Sequence, residues 1–226
     1  MERRGFFGKV IAVGAGALTL AKSIKARAAL PSDSSAAAPG PDYLTLPGFA
    51  KDSPVTLDQA LLKRATVRSY DGEARLSAEQ LSRLLWAATG ANRDDGHRTT
   101  PSAMAVYPVD LYVALPEGVF LFEPKKHRLK KVKSDDIRAE IPLQGAFKKA
   151  AMLALYVVNA RKSGGGENNW AELEVGCMVQ NLYLKAAAEG LGSAVFAIIR
   201  ADRGGELLGL KSGQKLLIAQ AVGPVK

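Results

Sequence analysis

The sequence predicts an α+β sandwich, a small mixed or antiparallel sheet flanked by helices. Three observations carry that expectation. Two capping boxes, Thr56-Leu57-Asp58-Gln59 and Ser77-Ala78-Glu79-Gln80, each precede a run with helical spacing. Two apolar segments, 109–115 and 119–123, flank Pro116-Glu117-Gly118, as a hairpin requires. Residues 151–159 (AMLALYVVN) are apolar on both faces, as a central, fully covered strand must be. Helices fall before and between the strands, which an α+β sandwich fits best, and no internal repeat is visible.

Taken in order, the first helix runs from Thr56 to about Lys63. The second carries Leu81, Leu84, Leu85 and Ala88 and stops at Gly90. A long amphipathic helix at 173–189 ends at Gly190-Leu191-Gly192. Strands are expected at 193–199 and 216–222, with a short helix near 205–208 between them. Trp86 and Trp170 read as core or interface residues, and Cys177, beside Met178, as a small buried apolar group. Tyr107 reads as a packing residue. Residues 29–54 are rich in Pro, Ser, Ala and Gly and read as a linker or extended arm, so the globular domain is assigned to 55–226.

At the N-terminus, Arg3-Arg4 precedes an eleven-residue apolar run at 10–20, with Ala26-Arg27-Ala28 behind it. This resembles a twin-arginine export signal over residues 1–28, and implies a protein that folds before leaving the cytoplasm for the periplasm. Eleven helical residues span roughly 16 Å, about half a hydrocarbon core of ~30 Å, so a cleaved signal fits better than a membrane anchor. The formal charge of +9 is concentrated there. Of 31 basic and 22 acidic residues, the first 28 positions hold six and one, leaving 25 and 21 beyond them. That modest surplus is no nucleic-acid footprint. A single cysteine excludes an internal disulfide and a cysteine-cluster metal site, and the two histidines, His97 and His127, suggest no metal centre.

Two constellations could carry chemistry. In Arg64-Ala65-Thr66-Val67-Arg68, two guanidinium groups and a hydroxyl are spaced to converge on one phosphate, although a solvated basic helix end would look the same. In Arg98-Thr99-Thr100-Pro101-Ser102-Ala103, small residues would let backbone approach a flat ligand, although an ordinary loop before a strand has the same composition. Ser163-Gly164-Gly165-Gly166 lacks the lysine and spacing of a phosphate-binding loop. The run Lys125-Lys126-His127-Arg128-Leu129-Lys130-Lys131-Val132-Lys133 reads as a solvated hairpin edge, with a redox partner or membrane surface as the other reading.

Together, these two segments, the helix end Leu-Leu-Trp-Ala-Ala-Thr-Gly, Tyr107-Pro108-Val109-Asp110, Gly118-Val119-Phe120-Leu121-Phe122-Glu123-Pro124, Gln180-Asn181-Leu182-Tyr183, Glu189-Gly190-Leu191-Gly192 and Val222-Gly223-Pro224 resemble the nitroreductase family. They are most similar to its SagB/ThcOx-type dehydrogenases, and the resemblance spans about 55–226. It implies FMN held near the interface of a homodimer and a small-molecule substrate. It further implies Arg64, Thr66 and Arg68, with Ala65 in the same stretch, at the phosphate and ribityl chain. Pro101, Ser102 and Ala103 would lie along the isoalloxazine, and Gln144 would read the pyrimidine edge. Ala197 and Ile198 would offer backbone to the flavin N5 and O4, and Lys226 matches a phosphate ligand loosely.

Where many relatives carry an acidic residue or glycine near Ala197-Ile198, this chain is apolar through Val195-Phe196-Ala197-Ile198-Ile199. Two readings of different class follow. One is an exported FMN-dependent oxidoreductase in which the flavin carries the chemistry and no side chain need be an acid or base. The other is a flavin-binding or interaction module of the same fold without turnover.

Overall fold

A computed structural model describes residues 42–49, 51–162 and 170–226. The sequence-predicted export signal and the Ser163–Gly166 excursion lie outside them. The sheet has seven strands: β1 (Tyr43–Thr45), β2 (Val109–Leu115), β3 (Gly118–Glu123), β4 (Arg128–Lys133), β5 (Met152–Asn159), β6 (Gly192–Phe196) and β7 (Gln214–Gly223). Their order is β1-β4-β3-β2-β5-β7-β6, and every neighbouring pair is antiparallel. Four helices accompany it: α1 (Leu57–Lys63), α2 (Ala78–Thr89), α3 (Trp170–Ala188) and α4 (Ala201–Leu208). Both expected capping boxes form, with Thr56 and Ser77 as N-caps.

Strand alternation explains the doubly apolar β5. Met152, Ala154 and Tyr156 face a core built with Leu81, Leu84 and Leu85 of α2 and Met178 and Leu182 of α3. Leu153, Leu155 and Val157 face a second core with Ile137, Ile141, Phe147 and, from α4, Leu207 and Leu208. The sheet is thus covered on both faces. Buried polar groups on it are satisfied in a chain: the Tyr156 hydroxyl donates to Gln220 Oε1 (2.6 Å), and Gln220 Nε2 donates to Ser193 Oγ (2.9 Å).

The structure corrects four sequence expectations. Order begins before residue 55, because Tyr43–Thr45 of the expected linker pairs with β4 and Leu46 is buried. The lysine-rich run is accordingly no sheet edge: β4 lies between β3 and β1, and Arg128 pairs with Glu123 while stacking 3.6 Å over the Tyr43 ring. The strand expected at 193–199 ends at Phe196, because the next residues turn aside to pair with Pro142 and Leu143. Trp170 is exposed, which removes the core half of its reading and leaves the interface half, and Cys177 is half-buried rather than buried.

Helices α2 and α3 are locked by Glu189, which accepts Arg83 Nε and Nη2 (2.7 Å each) and lies 2.9 Å from Lys185 Nζ. Burial works against ionisation of Glu189, but the two cations outweigh it and hold its carboxyl below the usual range. A depressed native value means stability present above the ordinary glutamate range and lost as pH falls from there through the lower native value. Between pH 6 and 3 the wild-type melting temperature should therefore fall more steeply than that of Glu189→Gln; equal slopes would show that the cluster contributes nothing.

Candidate functional site

Beyond α1, Arg64 caps the helix in extended conformation and the chain becomes a strap. Thr66 pairs in parallel with Ser193, Val67 N–H donates to Ser193 O (2.9 Å), and Tyr70 pairs with Val225 near the C-terminus. The strap approaches β6 this closely because residue 192 is glycine: a Cβ there would lie 2.9 Å from Val67 Cγ1 and 3.0 Å from Val225 Cγ2. Val67 and Tyr70 turn inward, while Thr66 and Arg68 stay exposed and Arg64 half-exposed. Ala65 is exposed and offers only backbone and a methyl group.

Tyr183, on the inner side of α3, organises this strap. Its hydroxyl accepts Val195 N–H at 2.7 Å and lies 3.5 Å from Thr66 Oγ1, and the Arg64 guanidinium sits 5.6 Å over its ring. One side chain therefore ties the helix, the edge of β6 and two candidate ligands. Tyr183→Phe should lower the melting temperature by a few degrees and weaken anion affinity about tenfold, since a buried donor loses its acceptor at a cost of ~1–3 kcal/mol. Titration of the variant with FMN checks it; unchanged affinity would make the tyrosine a packing residue only.

The opposite wall is the segment after Arg138. That buried guanidinium donates to Ala150 O (2.7 Å) and pairs with Asp136. Leu143 N–H donates to Ile198 O (3.3 Å), which places Gln144 next to the Ala197–Ile198 backbone. A short 3-10 turn at Gly145–Lys149 follows, pinned by Phe147 stacked 4.2 Å from Phe196. Gly145, Ala146 and Lys149 line a cleft of about 260 Å³ with Arg68, Ser69, Tyr70 and Lys226. No acidic side chain lines this cleft, and Arg64, Arg68, Lys149 and Lys226 make no ion pair among the described residues. Burial pushes the Tyr70 phenol well up, so it remains a neutral donor, to Val67 O at 2.7 Å.

Ala197 and Ile198 are exposed beyond the end of β6. Their carbonyls accept from Ile199 N–H (2.9 Å) and Leu143 N–H, whereas their own N–H groups have no backbone acceptor among the described residues. The arrangement thus combines unpaired cations, a hydroxyl and spare backbone donors, a set suited to an extended anionic ligand with acceptor atoms along its length.

Pro101, Ser102 and Ala103 belong to a different place. Thr99 and Thr100 hydroxyls donate to the last carbonyls of α2, at Trp86, Ala87 and Ala88, and Ser102 Oγ accepts Tyr107 N–H (2.8 Å). No hydrogen bond or ion pair among the described residues joins these three to the strap. Ser102 lies by Glu174 near the start of α3, and the strap by Tyr183. Nine helical residues separate those anchors, roughly 14 Å along the axis. Tyr107 packs under Arg98, whose guanidinium is 4.2 Å from the ring centre.

Of the residues singled out in the sequence, Arg64, Thr66, Arg68, Gln144, Ala197, Ile198 and Lys226 lie along one linked surface, and the 101–103 loop stands apart. Lys149 and Tyr183 were missed as site residues. Lys149 is hidden in a basic doublet before an apolar strand. The only hint for Tyr183 was a hydroxyl on an otherwise apolar helix face.

A seven-stranded antiparallel sheet covered by helices on both faces, with a cationic strap at one edge, defines the class. The chain belongs to the nitroreductase family, whose family model matches residues 61–224. It is similar to a Methanocaldococcus jannaschii protein named as a nitroreductase, 29% identical over 178 residues, covering 73% of this chain and 89% of the relative. The crystal structure of a Ralstonia eutropha protein, also described as a nitroreductase, superposes with a TM-score of 0.79 at 29% identity, covering 84% of this chain and 92% of that one. The NADPH:FMN oxidoreductase of Vibrio harveyi shares the fold at a TM-score of 0.55 and 16% identity, over 75% of this chain and 69% of its own.

Proposed function

We propose that this nitroreductase-family oxidoreductase is FMN-dependent and transfers electrons between a donor and a small organic acceptor. The observation that carries the reading is the convergence of Arg68, Lys149 and Lys226 on one acid-free cleft, beside Arg64, Thr66 and the unused N–H groups of Ala197 and Ile198. That donor set fits FMN: cations and a hydroxyl for its phosphate and ribityl chain, an amide at Gln144 and backbone N–H groups for its ring system. Bound flavin supplies two-electron acceptor and donor chemistry. The chain's own contribution is to bind and orient through the strap, and to offer fixed backbone donors where negative charge would build up. The NADPH named as a substrate of the Vibrio harveyi oxidoreductase, and the SagB-type branch suggested by the motifs, make nicotinamides and other small donors the first to test.

The same reading includes a homodimer. Leu57, Leu61 and Leu62 of α1 and Trp170 and Leu173 of α3 are large apolar side chains left exposed, Leu62 at 87%. A partner copy covering them would also bring in a second 101–103 loop, which a single chain holds away from its own cleft. Residues 1–28 are proposed to direct twin-arginine export to the periplasm, where a quinol or a partner protein would replace a nicotinamide as donor.

The deciding experiment is a visible spectrum of the purified protein after reconstitution with FMN, followed by anaerobic additions of NADH, NADPH and a soluble quinol. A yellow protein bleached by one donor and recoloured by an acceptor supports the enzyme. A yellow protein that no donor bleaches supports a binding module, and a colourless one that cannot be reconstituted ends both readings. Light scattering at twice the chain mass tests the dimer. Arg3→Lys/Arg4→Lys should leave precursor inside the cell, and normal export of that variant removes the signal reading.

A further inference from the structure

Glu174 is 3% exposed, and neither carboxylate oxygen completes a well-formed hydrogen bond among the described residues, although the Ser102 hydroxyl and the Val109 N–H lie close enough to favour its charge. The buried Nε of Arg98 also lacks a hydrogen-bond partner among the described residues. A buried carboxylate and a half-buried guanidinium thus act on each other without completing a bond, although each is costly to leave unpaired. The polar groups facing Glu174 come from few elements. The loop contributes the Ser102 hydroxyl and the Arg98 guanidinium. From β2 comes the Val109 N–H, and Lys162 beyond β5 supplies a more distant charge. Asp110 and Tyr107 act on Arg98 rather than on Glu174. From its own helix come the apolar Ala171, Val175 and Met178.

The loop in question is strained and needs a support. Met104 (φ 52°), Ala105 (φ 55°) and Tyr107 (φ 50°) all sit in the left-handed region without being glycine. Met104 is 95% exposed at the tip. The base is tied by Ser102 to Tyr107 N–H, and by Arg98 N–H donating to the Tyr107 hydroxyl (3.1 Å). Both tied residues, Ser102 and Arg98, are the ones that border Glu174.

We propose that Glu174 is a positioning residue: through Ser102 and Arg98 it sets the backbone of the 98–107 loop so that Pro101–Ala103 presents a surface to the flavin of the partner copy in the proposed homodimer. This rests on the FMN reading for its outcome but not for its geometry. Burial pushes the Glu174 carboxyl up, with Ser102 and Arg98 acting against that rise. Ionisation at higher pH therefore tightens the pull on Arg98, and protonation relaxes it.

Glu174→Met separates positioning from plain structure. Removing the carboxylate leaves the Arg98 guanidinium without its opposite charge, so the melting temperature should fall, and exchange outside 98–107 under strongly native conditions should stay as in the wild type. The same change should speed amide hydrogen exchange across 98–107 at least tenfold and weaken FMN binding about tenfold. Glu174→Gln, which keeps a polar but uncharged group facing Ser102, should restore part of the slow exchange, and its loop exchange and FMN affinity should change less with pH than those of the wild type. If Glu174→Met leaves loop exchange and FMN affinity within twofold of wild type, the proposal is overturned. Should Glu174→Met fail to fold, protection of 98–107 in the wild type carries the test: corrected for intrinsic rates, it should rise from pH 5 to pH 8 more than in Glu174→Gln, and equal pH responses also overturn the proposal. If the wild type binds no FMN while exchange still rises in the variant, the loop support stands and the cofactor reading falls.

Discussion

Arg64→Ala/Arg68→Ala is expected to abolish stable FMN binding while leaving the fold intact. Neither guanidinium makes an ion pair among the described residues, so their removal strands no buried carboxylate. What ties the strap to β6 is backbone pairing at Val67 and the inward packing of Tyr70, and both survive the substitutions. A charge-assisted hydrogen bond contributes ~1.5–3 kcal/mol. Losing two should therefore weaken FMN by roughly 10² to 10⁴-fold. Lys149 and Lys226 remain at the cleft and give residual affinity that should fall steeply with salt. Quenching of FMN fluorescence measures the affinity, and far-UV circular dichroism with a thermal melt reports the fold. A double variant that binds FMN within threefold of wild type would place the anionic tail of the cofactor elsewhere.

Legibility of this chain in its sequence followed the range of the interactions involved. The capping boxes at Thr56 and Ser77, the hairpin around Gly118 and the doubly apolar β5 are local patterns, and all of them appear where their residues predict them. The strand β1 was invisible because three residues amid prolines and glycines have no period, and what makes them a strand is β4, some eighty residues away. In β4 itself only Leu129 is fully buried, so lysines dominate its composition and hide the pairing on both sides. The end of β6 was overestimated because Ala197, Ile198 and Ile199 remain apolar, and only the distant Pro142–Leu143 segment diverts them.

The site divided in the same way. Arg64, Thr66 and Arg68 declare themselves by charge and spacing along one short strap. Lys149 joins them only because Phe147 stacks on Phe196, and Tyr183 only because α3 lies beside the strap. Glu174 was the least legible of all. A glutamate on an amphipathic helix reads as a solvent-facing charge, and burial beside Arg98 and Ser102 is a product of three segments meeting.

Gly118→Ala should destabilise the fold by about 3–5 kcal/mol, summing a strained backbone of ~1–3 kcal/mol and a steric displacement of similar size. Gly118 opens β3 with φ +130°, which L side chains rarely adopt. A Cβ there would lie 2.2 Å from the Lys133 carbonyl oxygen and 3.1 Å from Ser134 Cα, both backbone atoms with no rotamer by which to retreat. Relief would require β3 and β4 to separate beside the bulge already present between Val119 and Phe120. For a domain of this size the loss corresponds to roughly 10 °C or more in melting temperature. Gly205→Ala is the matched control: a Cβ there meets only Leu210 Cδ1, at 3.9 Å, in the interior of α4, and should hold or raise stability by ~0.5–1 kcal/mol. Since β3 is third in the sheet and β6 seventh, the folded fraction of Gly118→Ala should bind FMN with wild-type affinity. A variant that melts within 2 °C of wild type would show that the hairpin can shift to admit the methyl group.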